Sequence, residues 1–342
     1  MENKKESTVV TMKNVAEMAG VSTATVSRTL MNPKKVSTLT RQKVEQAARA
    51  TGYLPQALSH RIKRNDSRTI LVIISDISDP SFIEIIQGIE QTAAGHGYLI
   101  LISSCAPQHQ FERTVVNLIM TKQIDGILLL GLDPPFDTLK TDRSNLPPMV
   151  MVIKFSPDLE LPCVHIDNLT AAFEAVHYLY KLGHKKIACI AGSEFIAFSH
   201  FRLQGYIQAL QRNGLVVEKN YVMRGDVTYE SGARAFATLM QLARPPTAIF
   251  CHNDTMAVGA VQQAHKLGII IPQDVSIIGF DNLSLSQYCS PPLTTVAQPR
   301  YQIGQKAMLL LLKRLQGHSM PAGSQLLETK LIIRASTCAP KH

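Results

Sequence analysis

The sequence predicts an α/β protein in which an N-terminal three-helix helix-turn-helix headpiece precedes two doubly wound α/β lobes. Three observations predict it. Residues 12–31 hold two short apolar-striped segments around a glycine, positive charge is gathered in the first 68 residues, and from Thr69 onward strand-like apolar runs alternate with helix-length segments. Of the 342 residues, the first 68 carry 13 Lys or Arg against five acids, and the other 274 carry 22 against 21. A basic module on a nearly neutral body implies an electrostatic footprint on phosphates, whereas a generally cationic or membrane-sticky chain would spread its charge.

In MKNVAEMAGVSTATVSRTLM, Met12, Val15, Ala16 and Ala19 fall at i, i+3, i+4 and i+7, so the first helix has one apolar face, and Thr11 caps its start. Gly20 supplies a left-handed stop. Ser22 is a natural N-cap for the second helix, which turns Val26 and Leu30 beneath and shows Thr23, Ala24, Ser27 and Arg28 outward. Short side chains let a helix approach the major groove, hydroxyls reach phosphates, and an arginine bonds a guanine edge bidentately. A structural helical hairpin shares this geometry, and the local charge favours DNA. A disordered basic tail would lack the helical period. STLTRQKVEQAARATG, residues 37–52, predicts a third helix and a headpiece over 1–54. A short helix over 55–63 and the polar RNDSR run predict a hinge over 55–68.

The remainder, 69–342, is expected to bind an effector and to dimerise. TILVIIS, a helix over 82–96, YLILIS, a helix over 109–122, DGILLLG and MVMVIKF form one half. CVHID, a helix over 169–182, KIACIAG, helices over 199–213 and 229–242, AIFCH, a helix over 254–267 and VSIIGFD form the other. Such alternation predicts parallel sheets with a ligand cleft at their carboxyl ends, lined by residues 79–82, Asn253, Asp254, Asp281 and Asn282. The lobes are expected over 69–166 plus 297–318 and over 167–296 plus 319–342.

Nucleotide and catalytic signatures are missing: there is no GxxxxGK[ST] or GxSxG, and Gly95 and Gly97 lie between a helix and the next strand, the wrong context for a dinucleotide. No catalytic residue and no cofactor are expected. Six scattered cysteines without a CxxC pair predict buried free thiols, neither a disulfide scaffold nor zinc, and His177 and His184 read as surface histidines, so no metal site is expected. MENKKESTVV lacks the apolar stretch of a secretory signal, and no run of 18 apolar residues spans a bilayer, which predicts a cytoplasmic protein with no membrane partner.

The opening VTMKNVAEMAGVSTATVSRTLMNPKKVSTLTRQKVEQAARATGYLPQALSHRIKR resembles the headpiece of the lactose and galactose repressor family. The resemblance continues through RTILVIISDISDPSFIEIIQGIE, QIDGILLLG, HIDN, GHKKIACIAG, FRLQGYIQAL, CHNDTMAVGA, IPQDVSIIGFDN and PPLTTVAQPR, in the family's order and spacing. It implies periplasmic-binding-protein-like lobes and a homodimer that presents its second helices to successive major grooves of an operator. Thr23 and Ala24 would set specificity, Arg28 would touch a base, and Ser22, Thr25, Ser27 and Asn32 would position phosphates. Ile62, followed by Lys63, stands where relatives wedge a leucine into the minor groove. A β-branched residue there, with Asn65 and Asp66 in the linker, weakens a hinge helix; the alternative is that Ile62 packs inside the headpiece.

In the cleft the resemblance points to Arg202 and Asp281 as a pair that grips a polar ligand, with Asn253 as a third contact, Ser81 at the cleft edge, and Phe82 and Phe198 stacking a flat base; a core position is the alternative for Phe198. A guanidinium donor and a carboxylate acceptor together satisfy vicinal hydroxyls of a sugar or ribose. The implied inducer is a nucleoside, cytidine, and the implied targets are genes of nucleoside uptake and catabolism. A sugar or purine effector is the alternative, because Ile153 stands where relatives carry Asp or Asn, and Val227 where an aromatic is common. The cyclic-AMP receptor protein is implied as a promoter partner. The chain ends without a leucine-rich heptad tail, so a dimer is expected in preference to a tetramer. A periplasmic sugar-binding protein would share the lobes but lack the basic headpiece, and a cleft enzyme would need a base and a nucleophile together.

Overall fold

The computed structural model describes residues 11–31, 33–51, 53, 67–105, 108–133, 146–156, 159–194, 196–318 and 323–341. The chain divides into two compact units, 1–67 and 68–342. Asn32, the 55–63 segment with Ile62 and Lys63, and the linker residues Asn65 and Asp66 lie outside the described residues.

The first unit contains α1 (Met12–Ala19), α2 (Thr23–Met31) and α3 (Thr38–Thr51). The Asn14 side chain accepts the Thr11 N–H at 2.9 Å, which satisfies one orphan donor at the start of α1. Gly20, at φ 65°, ends α1 in the left-handed region. Ser22 and Ser37 cap the next two helices, their hydroxyls accepting the N–H of Thr25 at 3.2 Å and of Thr40 at 3.3 Å. Val15, Ala16, Val26, Val44, Ala47, Ala48 and Tyr53 form the core beneath them, with Met12, Ala19 and Leu30 packed against it, as the apolar spacing predicts.

The second unit holds two six-stranded sheets with the orders β11-β5-β4-β3-β1-β2 and β12-β10-β9-β8-β6-β7. In the first lobe these are β1 (Thr69–Ile74), β2 (Leu99–Ser104), β3 (Gly126–Leu130), β4 (Met149–Val152), β5 (Cys163–Ile166) and β11 (Ser324–Leu327), all parallel. The second lobe uses β6 (Ile187–Ala191), β7 (Val222–Arg224), β8 (Ala248–Cys251), β9 (Ser276–Asp281), β10 (Thr294–Ala297) and β12 (Lys330–Ile332), of which only β12 is antiparallel to its neighbour. The inner strands are buried along all or nearly all of their length, so they read as continuous apolar runs. Around them lie α4 (Ile83–Gly95), α5 (Gln108–Met120), α6 (Asn168–Lys181), α7 (Ala197–Arg212), α8 (Tyr229–Met240), α9 (Asp254–Lys266), α10 (Leu285–Tyr288) and α11 (Arg300–Leu315).

In each sheet the first strand of the lobe lies inside, β1 between β2 and β3, β6 between β7 and β8. Chain direction around the sheet reverses there, and a crevice opens at the carboxyl end of that strand. The segments after β1 and β6 are therefore site positions, and Asp79–Phe82 and Phe198 follow them. The chain crosses between lobes three times, after β5, after β10 and after β11.

Two expectations are corrected. The stretch after 318 does not go wholly to the second lobe, because Ser324–Leu327 pairs with Cys163–Ile166 and extends the first sheet. His184 is not a surface residue: it is 1% exposed, with Nδ1 2.9 Å from Thr247 Oγ1 and Nε2 2.9 Å from the Cys338 carbonyl, and it fastens the C-terminal segment to the second lobe. The six cysteines are unpaired; Cys163, Cys189 and Cys251 are buried, whereas Cys105, Cys289 and Cys338 are half-buried.

Candidate functional site

Arg202 sits on α7 with 2% of its surface exposed, at the carboxyl ends of the second sheet. Burying a guanidinium is costly unless its donors are paired, and these are. Nε donates to Asn168 Oδ1 at 2.8 Å, Nη1 to the His252 carbonyl, and Nη2 to Asp281 Oδ1 at 3.3 Å. The Phe280 ring lies 3.5 Å and the Phe198 ring 4.4 Å from its Cζ, so the cation is also covered by two π faces. Asp281 accepts a second bond on Oδ1 from Gln298 Nε2 at 2.6 Å. The pair is thus wired to two of the three crossovers, through Asn168 after β5 and Gln298 after β10.

Burial pushes the Asp281 carboxyl up from its ordinary value, and Arg202 is the main influence drawing it back. Burial likewise lowers Arg202, which Asp281 counteracts. Asp254, at the start of α9, is pushed up to about 8 by burial and by the nearby Asp281 charge, although Thr295 Oγ1 donates to it at 2.6 Å and the Leu283 N–H at 2.7 Å. Asn253 caps α9, its Oδ1 accepting the Met256 N–H at 2.9 Å. Among the described residues its Nδ2 has only a long contact, 3.5 Å from the Val227 carbonyl. The amide oxygen is therefore committed to the helix, and the amino group is the part able to turn to a ligand.

Across from these groups, the Ser81 N–H is held by Asp79 Oδ1 at 2.8 Å. Phe82 is 4% exposed and belongs to the core of the first lobe; a Cβ built on Gly131 would stand 3.4 Å from its ring. Phe82 thus forms a buried wall, while Phe198, which already carries Arg202 on one face, is half-buried.

The cap residue Ser22 and, on α2, Thr23, Ala24 and Arg28 are exposed, and Thr25 and Ser27 are half-buried. The Ser22 and Thr25 hydroxyls lie 2.9 Å apart, so the cap pre-orients both at the helix start. Four positions that the sequence assigns to DNA therefore do face solvent on one short helix and its cap.

Residues 11–56 match the family described as bacterial regulatory proteins, lacI family, and residues 176–337 match a periplasmic binding protein-like domain. The chain is 60% identical over 339 residues to the HTH-type transcriptional repressor CytR of Escherichia coli (strain K12), covering 99% of each chain. The chain belongs to the LacI family. Catabolite control protein A of Priestia megaterium is 36% identical over 329 residues, covering 96% of this chain and 99% of that one. Among solved structures, the lac repressor dimer bound to operator and the anti-inducer ONPF matches with a TM-score of 0.84 at 28% identity, covering 97% of this chain and all of the other.

These relatives are regulators, and this LacI-family chain is not an enzyme. The cleft's chemistry agrees with that. His252 and Ser199 have Nδ1 and Oγ 3.2 Å apart, a spacing that suits a base and a nucleophile. Nδ1 already accepts the Gly192 N–H at 3.1 Å, however, and both residues are fully buried, so His252 has no free lone pair to offer. Burial holds its pKa well below the usual histidine range, reinforced by Arg202.

Reading the sequence missed Asn168, Gln298 and the His252 carbonyl. Asn168 follows the HID run and Gln298 opens the QPR run, both within stretches that carry the family resemblance; that was the available signal. Their roles depend on contacts remote in sequence: Asn168 meets Arg202 34 residues away, the His252 carbonyl meets it 50 residues away, and Gln298 meets Asp281 17 residues away.

Proposed function

We propose that the chain is a dimeric, cytoplasmic transcriptional repressor whose hold on operator DNA is controlled by a nucleoside, cytidine, bound between the lobes of the second unit. The observation that carries the effector reading is the Arg202–Asp281 pair: a buried, opposed donor and acceptor at the sheets' carboxyl ends, matched to the hydroxyls of a ribose. Asn253 adds a donor, Ser81 an edge contact, and Phe82 and Phe198 apolar walls for a flat base. Likeness to a relative named CytR supports cytidine over a sugar or a purine.

For DNA, Thr23, Ala24 and Arg28 read bases, and Ser22, Thr25, Ser27 and Asn32 hold phosphates, with Ile62 and Lys63 at the minor groove. Exposure of the first helical turn of α2 supports this assignment. For the dimer, β2 is an edge strand with Leu99 64%, Leu101 40% and Ile102 38% exposed, apolar surface suited to a second copy. Among the described residues no helix is long and apolar enough to cross a membrane. A promoter partnership with the cyclic-AMP receptor protein rests on the family resemblance alone.

Calorimetry against nucleosides, nucleobases and sugars tests the effector. Cytidine binding with at least tenfold preference over purines and sugars supports the proposal; preference for a sugar or purine replaces the effector while leaving the regulator.

A further inference from the structure

Asp281 and Asn282 have φ of 105° and 53°, a backbone turn that ordinary side chains disfavour and that persists only where surrounding groups over-determine it. Both carbonyls of this turn are held by one side chain, Arg300. Nη1 donates to the Asp281 carbonyl, and Nη2 to the Asn282 carbonyl at 3.2 Å and to Glu84 Oε1. Arg300 is 3% exposed, and its Nε has no hydrogen-bond partner among the described residues. A buried cation with one donor unsatisfied is expensive, so its other bonds must hold something in place.

The side chain reaches across the molecule. Arg300 opens α11, which packs on β3, β4 and α4 of the first lobe, whereas the turn it grips ends β9 of the second. Its position is set by two glycines. A Cβ on Gly88 would lie 2.1 Å from the Tyr301 carbonyl, and one on Gly304 would lie 2.0 Å from the Ile85 carbonyl, so α4 and α11 touch backbone to backbone. In this register Glu84 stands one turn before Gly88 and Arg300 one turn before Gly304, which brings the two charges together.

We propose that Arg300 is a positioning residue of the effector site: held by Glu84 on the first lobe, it fixes the 281–282 turn of the second and thereby aims the Asp281 carboxylate at Arg202 and the ligand. It does not touch the effector itself. The inference rests on the effector site proposed above.

The test uses the full-length protein and two readouts. Hydrogen exchange of the unliganded protein follows the amides of Leu283 and Ser286, which are bonded to Asp254 Oδ2 and to the Leu283 carbonyl. Arg300→Met should speed exchange there about tenfold or more while the strands of the first lobe keep their protection. Calorimetry with cytidine then compares Arg300→Met alone and in an Asp281→Asn background. If Arg300 acts through Asp281, it weakens binding about tenfold in the first case and less than about twofold in the second. Equal losses in both backgrounds, or unchanged exchange at 283–286, overturn the proposal. If Arg300→Met does not fold, Glu84→Gln, at a half-exposed side chain, is measured in the same way with about threefold effects expected. Should the parent protein bind no cytidine, the effector reading fails, and the exchange experiment alone decides the role of Arg300.

Discussion

The DNA-reading helix and the effector cleft present polar groups in opposite ways. On α2 and its cap, Ser22, Thr23, Ala24 and Arg28 come from one run of seven residues and stand in solvent. In the cleft, Asn168, Arg202, His252, Asp281 and Gln298 come from positions spanning 168 to 298 and are joined into one buried network. A solvated side chain can be removed with the loss of only its own contact. A buried, paired one leaves its partner behind unpaired, so the cleft is the more fragile site, and defects in the two regions are separable.

The largest effect should follow Arg202→Ala. It strands the Asp281 carboxylate without its main counter-charge, so about 3–5 kcal/mol of stability is lost, with cytidine affinity falling about a hundredfold or more. Thermal unfolding and calorimetry check both. A loss of ligand affinity with no change in stability would mean that the pair is not buried together in solution.

Next is the pH dependence centred on Asp254. Its carboxyl is raised to about 8 in the folded protein, so between the ordinary carboxylate value and about 8 the native state holds a proton that the unfolded state has released. Stability should therefore be highest in mild acid and decline as pH rises towards about 8, by up to a few kcal/mol. Asp254→Asn should flatten that decline in Tm. An unchanged slope would place the pH sensitivity elsewhere.

The solvated helix should respond more mildly. Arg28→Ala should cost about 1–3 kcal/mol of operator affinity and flatten discrimination at one base pair. Uniform weakening on every sequence would instead make Arg28 a phosphate contact, and the specificity of α2 would rest on Thr23 and Ala24. Smallest is Gly20→Ala. Among the described residues no atom lies within 4 Å of a Cβ there, so the cost is that of the left-handed backbone, about 1 kcal/mol of headpiece stability in a melting curve.

The same contrast explains what was legible in the sequence. α1 and α2 were readable to the residue, because caps, apolar spacing and a left-handed glycine are local signals. Most of the long buried strands and their helices were legible to within a residue or two, whereas β10 and α11 were not singled out as elements. Short edge elements were not legible: β12 has three residues, and β11 is largely exposed along its length, so neither carries an apolar period. Assigning 324–327 to the wrong lobe follows from that, since only pairing with β5 decides it. His184 looked like a surface residue because its partners, Thr247 and Cys338, are far along the chain. In the cleft, Arg202 and Asp281 were identified through the family resemblance. Their supports Asn168 and Gln298 were not, because no local pattern marks a residue that meets a buried arginine or carboxylate from another element.

Operator affinity measured by fluorescence anisotropy, with and without saturating cytidine, on the parent protein and on Asp281→Asn, tests the central claim most directly. Cytidine should weaken operator binding by the parent, since an effector that prefers another state of the dimer must lower its affinity for DNA. Asp281→Asn should bind operator like the parent without ligand and ignore cytidine at the same concentration. Loss of operator binding by the unliganded variant, or a full cytidine response from it, would contradict the separation of a solvated DNA reader from a buried effector site.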